Sequence, residues 1–158
     1  MTEQTGYTPR GMYFEEFEIG TEVISANRTI TEADVVMFAG LSGDFNPLHT
    51  DEEFAKTTPF GKRIAHGALV LSIATGLANR LGFIEGTALA FRELTWKFSL
   101  PVFFGDTVYL KARCSKLKAM PRLGGGLVIF DVSVINQDEK IVQKGEWHLL
   151  VKSQEADS

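Results

Sequence analysis

The chain has 158 residues, of which 44% are apolar and 23% are charged, as in an ordinary globular protein. This length suits a single domain with one core. The formal net charge of −4 argues against a nucleic-acid-binding protein, because such proteins carry a basic excess or a basic stripe. No apolar run approaches the roughly 18 residues that a membrane span needs, so we expect no membrane partner.

Cysteine content and the terminal sequences indicate a cellular location. Cys114 is the single cysteine, which excludes an internal disulfide and favours a reducing compartment. The first ten residues lack the charged-then-apolar order of a signal peptide. The last five residues carry no peroxisomal address. We therefore expect a cytoplasmic protein.

Polarity divides the chain into three parts. Residues 1–12 are mostly polar and are predicted to form a flexible N-terminal arm. Residues 13–152 are predicted to form a single domain, followed by a polar C-terminal tail at 153–158. No internal repeat or low-complexity segment suggests a second unit.

The first half of the domain predicts short elements joined by loops. Thr21–Ile30 is predicted as a strand. Thr31 begins a helix signature, because its hydroxyl can cap the first turn and Asp34 stands three residues later. Asp51 is predicted to cap a second short helix.

The second half predicts one buried helix followed by a sheet. Gly67–Leu81 contains few polar residues and is predicted as a helix buried on most sides. Four later segments are rich in β-branched and aromatic residues: Ala88–Leu100, Thr107–Leu117, Leu127–Asn136 and Ile141–Lys152. Because no helix separates these strands, the sheet is expected to be antiparallel. The pattern indicates an α+β protein whose sheet curls around the helix.

The segment from Ser42 to His49 carries the most informative polar residues. Asp44 and His49 stand five residues apart, and Pro47 favours a turned loop between them. Such a turn can bring a carboxylate and an imidazole to one side, where they can bind a water and move two protons. The simpler interpretation is that Asp44 caps the next turn and His49 is a structural loop histidine. Spacing alone favours that simpler interpretation.

A second candidate feature opens the buried helix at His66 and Gly67. Gly67 permits a close approach to the backbone. Free N–H groups at the helix start carry partial positive charge and suit a carbonyl oxygen that becomes an oxyanion. A packing glycine with His66 as a helix cap explains the same residues equally well.

Ser42–His49, read Ser-Gly-Asp-Phe-Asn-Pro-Leu-His, resembles the signature of the MaoC-like dehydratase family, which includes the (R)-specific enoyl-CoA hydratases of the hydratase 2 type. Tyr13–Gly20, Ile64–Gly67 and Leu100–Asp106 match further family segments in the expected order. Together they cover most of residues 13–150. The resemblance implies the hot-dog fold, an antiparallel sheet wrapped around a long central helix, and it favours the catalytic interpretation of Asp44 and His49.

The resemblance also implies roles for individual residues. Asp44 and His49 match the catalytic pair that holds the water added to the β-carbon of a trans-2-enoyl thioester. One of them takes a proton from water, and the other delivers a proton to the α-carbon. Gly67 matches the residue whose N–H polarises the thioester carbonyl. Two site-supporting positions are also implied: Asn46, which orders the loop, and Thr75, where some members carry a small hydroxyl residue.

No metal or organic cofactor is expected, and coenzyme A enters as part of the substrate. The three histidines are scattered along the sequence and the cysteine is alone, so no metal-ligand cluster is predicted. Four basic residues could meet the phosphates of coenzyme A, although solvated surface charge is the favoured interpretation: Lys62, Arg63, Lys118 and Arg122.

The expected function is an (R)-specific enoyl-CoA hydratase, reversible as a 3-hydroxyacyl-CoA dehydratase. An alternative is a dehydratase that acts on acyl carrier protein or on a branched or dicarboxylic enoyl-CoA. A hot-dog thioesterase and a non-enzymatic acyl-CoA-binding module are less favoured, since both members of the Asp and His pair are present. The edge strands of a single hot-dog sheet predict a two-fold homodimer with one continuous sheet.

Overall fold

A computed structural model describes residues 6–157 of the chain. Its helices are α1 (Glu32–Ser42), α2 (Pro47–Thr50), α3 (Glu52–Lys56) and α4 (Gly67–Arg80). Its strands are β1 (Glu22–Ile24), β2 (Arg28–Thr29), β3 (Ala88–Phe98), β4 (Thr107–Met120), β5 (Gly125–Asn136) and β6 (Ile141–Lys152). Short 3-10 helices lie at Phe14–Glu16, Pro121–Leu123 and Gln154–Asp157.

The strands form one antiparallel sheet in the order β1-β4-β5-β6-β3, and β2 also pairs with β4. Strands β4, β5 and β6 follow one another as neighbours because short turns join them. Strand β3 pairs with β6 along one side and ends this order. The predicted antiparallel sheet is confirmed, with β3 at its edge.

Helix α4 packs against the sheet and forms the centre of the core. Its apolar positions recur at helical spacing, so one broad face is buried: Leu69, Val70, Ile73, Ala74, Leu77 and Ala78. These side chains join buried residues of β4, β5 and β6 in one cluster. A long helix enclosed by a curled antiparallel sheet is the predicted α+β hot-dog arrangement.

Helix α1 begins as the sequence predicts. The Thr31 hydroxyl accepts the Asp34 N–H at 3.2 Å, and the Asp34 carboxylate accepts the Thr31 N–H at 2.9 Å. Each side chain thereby satisfies one free N–H at the helix start. Asp51 likewise caps α3, accepting the Phe54 N–H at 3.0 Å.

The prediction of one strand over Thr21–Ile30 is wrong in detail. The segment forms β1 and β2, which both pair with β4 but are separated at residues 25–27. The buried Ser25 keeps this break attached to the sheet, because its hydroxyl accepts the Leu110 N–H at 2.8 Å. A side chain thus replaces a backbone partner at the break.

The described part of the expected N-terminal arm lies against the domain. Gly11 and Met12 donate backbone hydrogen bonds of 2.9 Å to the carbonyls of Glu85 and Phe83. Arg10 forms an ion pair with Glu85. Residues 1–5 of the arm lie outside the described residues. In the expected C-terminal tail, Ser153 hydrogen bonds to Glu15.

Within residues 6–157, none of the helices combines the length and apolar character needed to cross a membrane.

Candidate active site

The loop after α1 presents Asp44 at the surface. Gly43 ends the helix with a φ of 78°, a left-handed conformation that suits glycine. The Asp44 carboxylate accepts the Asn46 N–H at 3.2 Å, and the Asn46 side chain accepts the Leu48 N–H at 3.1 Å. Asn46 therefore caps α2, whose first residue is Pro47. The segment predicted as a turned loop thus includes a short helix, and the site-supporting role implied for Asn46 stays a prediction.

His49 lies in α2 and is held in one orientation. Its Nδ1 lies 2.7 Å from the carbonyl oxygen of Ile64. Because a carbonyl oxygen only accepts hydrogen bonds, Nδ1 carries the proton, and neutral His49 keeps its Nε2 lone pair free. This nitrogen is consequently able to accept a proton from a bound water.

His66 connects the two predicted catalytic residues. Its Nε2 lies 2.8 Å from the backbone oxygen of Asp44, and its ring stacks on His49 with centroids 3.9 Å apart. His66 is 2% exposed, so its hydrogen bond to the Asp44 backbone lies beneath the surface of the site. The sequence suggested a helix cap, but the side chain makes no capping hydrogen bond to α4. Sequence reasoning therefore missed its link to Asp44.

The prediction that the fold forms no cluster of metal-ligand residues is wrong, because two of the three histidines lie together. Asp44, His49 and His66 offer polar atoms that all lie within 4.8 Å of one another. Backbone oxygens already occupy His49 Nδ1 and His66 Nε2. The fold thus concentrates one carboxylate and two imidazoles at one point, which the linear spacing of the sequence concealed.

A pocket of about 420 Å³ opens beside this cluster. His49 and Gly67 both line it, and most of its wall is apolar. The lining residues away from these two include Phe60, Val70, Phe98, Leu100, Val102 and Gln143. The arrangement joins a proton-transfer group to a cavity that fits an apolar chain.

Gly67 begins α4 at the wall of this pocket. A Cβ added there would lie 2.6 Å from Cε1 of Phe98, so the side chain of β3 requires a glycine at this point. The helix start has no side-chain cap, which leaves N–H groups of its first turn available to a ligand. These N–H groups form the positive end of the helix dipole, which stabilises a negative charge that develops on a bound ligand.

Thr75 lies about two turns along α4 from Gly67. Its hydroxyl donates to the Ser72 carbonyl at 2.7 Å, its side chain is exposed, and it does not line the pocket. The site-supporting role implied for Thr75 stays a prediction.

Two of the basic residues suggested for coenzyme A phosphates have partners within the domain. Arg63 forms ion pairs of 2.7 Å with Glu32 and 2.5 Å with Glu52. The hydrogen bond to Glu52, and to a smaller extent the one to Glu32, raises the pKa of the Arg63 guanidinium. Lys62 Nζ lies 4.4 Å from the ring centre of Phe103. Arg63 therefore braces α1 and α3, and its charge is already matched.

The chain is similar in sequence to a known protein family and to characterised bacterial enzymes. Residues 15–128 match the family model described as "MaoC like domain". The chain is 40% identical over 110 residues to the 3-hydroxybutyryl-CoA dehydratase of Methylorubrum extorquens, covering 68% of this chain and 67% of that protein. It is 43% identical over 97 residues to the (R)-specific enoyl-CoA hydratase of Rhodospirillum rubrum, covering 61% of this chain and 65% of that protein. The matches therefore span about two thirds of each relative.

Solved structures share the fold over most of the chain. A monoamine oxidase regulatory protein from Archaeoglobus superposes with a TM-score of 0.85 and 38% identity, covering 91% of this chain and 96% of that one. The (R)-hydratase of A. caviae superposes with a TM-score of 0.74 and 30% identity, covering 87% of this chain and 98% of that one. The described domain thus corresponds to a nearly complete chain in each structure.

Proposed function

The chain belongs to the family of MaoC-like domains, and on this premise we propose that it is an (R)-specific enoyl-CoA hydratase, reversible as a 3-hydroxyacyl-CoA dehydratase. The observation that carries the proposal is the placement of His49 and Gly67 on one pocket, with Asp44 beside His49. The names of the relatives, a dehydratase of 3-hydroxybutyryl-CoA and a hydratase of enoyl-CoA, support the same reaction.

In the proposed reaction, Asp44 and His49 hold one water molecule. The water oxygen bonds to the β-carbon as the carbon–carbon double bond opens toward the α-carbon. One member of the pair accepts a water proton, and the other delivers a proton to the α-carbon, so the overall change is the addition of one water. The tautomer set by Ile64 leaves His49 Nε2 directed to this exchange.

The start of α4 supplies the second requirement of the reaction. Attack at the β-carbon builds negative charge on the thioester oxygen, and an N–H group at Gly67 stabilises that charge more than it stabilises the neutral carbonyl. Only such a difference between transition state and ground state accelerates the reaction. Hydration therefore needs both the Asp44 and His49 pair and the N–H groups at the start of α4.

The character of the pocket favours an uncharged acyl chain. No Lys or Arg lies among the described residues that line it, and its polar members are few. A carboxylate at the end of a dicarboxylic acyl chain would enter without a countercharge, at a high desolvation cost. We therefore favour an aliphatic enoyl-CoA over a dicarboxylic one.

The proposal includes no metal or organic cofactor. Proton transfer and a hydrogen-bond donor account for the reaction, and coenzyme A belongs to the substrate. Because Asp44, His49 and His66 are grouped, metal removal is a direct test. We expect dialysis against EDTA to leave the hydration rate unchanged; a rate that falls and returns with an added divalent metal would contradict this part of the proposal.

We also propose a cytoplasmic homodimer formed through β3. Three apolar side chains of this edge strand are partly exposed: Phe91 (45%), Leu94 (41%) and Phe98 (59%). The rings of Phe91 and Phe98 also contact Trp147 and Gly67 at the inner face of the sheet. A second β3 would pair the open edge and cover this apolar face. Sedimentation velocity should give a dimer for the wild-type chain and a shift to monomer for Leu94→Glu; a monomeric wild-type protein would contradict the proposal.

The activity is tested with crotonyl-CoA, a short trans-2-enoyl thioester. Loss of the conjugated-thioester absorbance measures hydration, and (R)- and (S)-specific 3-hydroxyacyl-CoA dehydrogenases identify the product. We expect rapid loss with (R) product only and no release of free thiol. Thiol release would instead support the thioesterase alternative, and an (S) product would contradict the proposal.

A further inference from the structure

Gln143 is a buried polar side chain that joins the pocket wall to the start of α4. It lies on β6, is 2% exposed and lines the same pocket as His49 and Gly67. Its Oε1 accepts the Trp96 indole N–H at 2.8 Å, and its Nε2 donates to the Gly67 carbonyl at 3.1 Å. A buried amide with both ends engaged is strongly oriented, because unmatched polar groups are costly there.

The partners of Gln143 fix which end of the amide faces which way. The indole N–H only donates and the backbone carbonyl only accepts, so the reverse orientation would set donor against donor and acceptor against acceptor. Trp96 therefore determines that Nε2 faces α4. The link runs from the edge strand β3 through β6 to the first residue of the helix.

The Gly67 carbonyl shares its peptide plane with the N–H of Ala68. Holding that carbonyl therefore fixes the direction of an N–H in the first, uncapped turn of α4. Ala68 also lines the pocket. A small rotation of this peptide group would turn the Ala68 N–H away from the thioester oxygen, while the neighbouring Gly67 N–H belongs to the preceding peptide group.

We infer that Gln143 is a positioning residue that orients the Ala68 N–H, beside the Gly67 N–H at the start of α4, for the developing oxyanion, and that Trp96 fixes the Gln143 amide. This inference rests on the proposed hydratase function and adds a residue that neither the signature segments nor the spacing of the sequence identifies. Donors placed for the transition state act on kcat more than on substrate binding. Loss of Gln143 should therefore change kcat while KM changes little.

The first test replaces Gln143 with methionine, which has similar length but makes neither hydrogen bond. For Gln143→Met we expect kcat on crotonyl-CoA to fall about tenfold, which is less than the 10²- to 10³-fold for outright loss of a transition-state donor, because the N–H groups of α4 remain. Val142→Ala is the matched control, because Val142 is a fully buried neighbour on β6 that does not line the pocket. The control should lower the melting temperature and keep kcat near the wild-type value.

The second test restores the hydrogen bond by protonation. In Gln143→Glu, a protonated carboxyl can donate to the Gly67 carbonyl and accept from Trp96, whereas a carboxylate can only accept. We expect kcat of Gln143→Glu, relative to wild type, to fall as the pH rises, with no such trend for Gln143→Met. Trp96→Phe, which removes only the indole N–H, should give a smaller loss and serves if Gln143→Met does not fold.

A third readout separates this inference from the proposed function. The backbone amide of Ala68 belongs to the peptide group that Gln143 holds, so its ¹⁵N–¹H resonance should shift in Gln143→Met and stay in place in Val142→Ala. A wild-type protein that does not hydrate crotonyl-CoA would count against the proposed function. The Ala68 resonance would still test whether Gln143 holds the Gly67 carbonyl. An unshifted resonance, or a folded Gln143→Met with wild-type kcat, would overturn the inference.

Discussion

The two sides of the pocket are built in different ways. On one side, residues 43–66, here called the overhang, carry Asp44 and His49 on short helices and loops whose side chains are largely exposed. On the other side, α4 and strands β3–β6, here called the body, supply Gly67 and Gln143 from a packed apolar core. Caps and local hydrogen bonds stabilise the overhang, whereas burial of apolar area stabilises the body.

This difference separates chemistry from stability. Asp44 and His49 are not buried, so their replacement should change the rate of the reaction far more than the free energy of unfolding. Apolar core groups in the body contribute mainly to the free energy of unfolding, whereas Gly67 and Gln143 line the pocket and act on the reaction. His66 lies between these cases, because it is buried and still contacts both Asp44 and His49.

The largest effect is expected for Asp44→Asn and His49→Ala. Each removes a proton-transfer group, which is worth about 10²- to 10⁴-fold in rate. Steady-state hydration of crotonyl-CoA measures the loss. Thermal unfolding should show nearly wild-type stability for Asp44→Asn, because Asp44 is exposed, and a loss of about 0.5–1.5 kcal/mol for His49→Ala, which also removes the hydrogen bond to Ile64. Asp51→Asn is the matched control: Asp51 caps α3 within the overhang, and asparagine can cap in its place. Near-normal turnover in either pair variant would show that the assigned site is wrong.

Ile73→Ala tests the body. Ile73 is 6% exposed on the inner face of α4, and truncation of a buried isoleucine costs about 2–5 kcal/mol of unfolding free energy. Urea denaturation measures this cost, while kcat per folded molecule should stay close to wild type. An equal loss in kcat would mean that core packing and the reaction are not separable.

His66→Phe tests the residue shared by the two regions. Phenylalanine keeps a ring against His49 but cannot donate to the Asp44 carbonyl, whose hydrogen bond is worth about 0.5–1.5 kcal/mol. We expect a fall in kcat/KM of about 2- to 12-fold, the kinetic equivalent of such a loss if it falls on the transition state. His66→Gln, whose amide can donate, should recover part of the activity. Equal activity in His66→Phe and wild type would remove His66 from the site.

The smallest effect is expected for Arg63→Met. Glu32 and Glu52, the partners of Arg63, are 60% and 47% exposed, so solvent screens both ion pairs. Such pairs contribute about 0–1 kcal/mol. Thermal unfolding in low salt should show a small loss of stability that shrinks in high salt. A large, salt-independent loss would indicate that Arg63 is a structural centre of the overhang.

The sequence was most informative where local patterns determine structure. The caps at Thr31 and Asp51, the apolar run of α4 and the strand-rich second half are all confirmed. The break between β1 and β2 was missed, because the Ser25 hydroxyl finds its partner 85 residues away on β4. Such a pairing leaves no local signal.

The candidate site shows the same limit. Asp44, His49 and Gly67 could be named because they stand in motif segments, while the proximity of His66 to Asp44 depends on a contact across 22 residues. The hydrogen bonds from Gln143 to Gly67 and from Trp96 to Gln143 span 76 and 47 residues. Gln143 is one of several polar residues in β6, so the sequence alone does not distinguish it from its neighbours.

The most direct test of the account is a double-mutant cycle on Asp44 and His49. If the two groups hold one water and complete one proton exchange, the second substitution removes little that the first has left. We therefore predict that the Asp44→Asn/His49→Ala double variant hydrates crotonyl-CoA about as slowly as the slower single variant. Rate losses that multiply in the double variant would show that the two residues act independently and would contradict the shared-water mechanism.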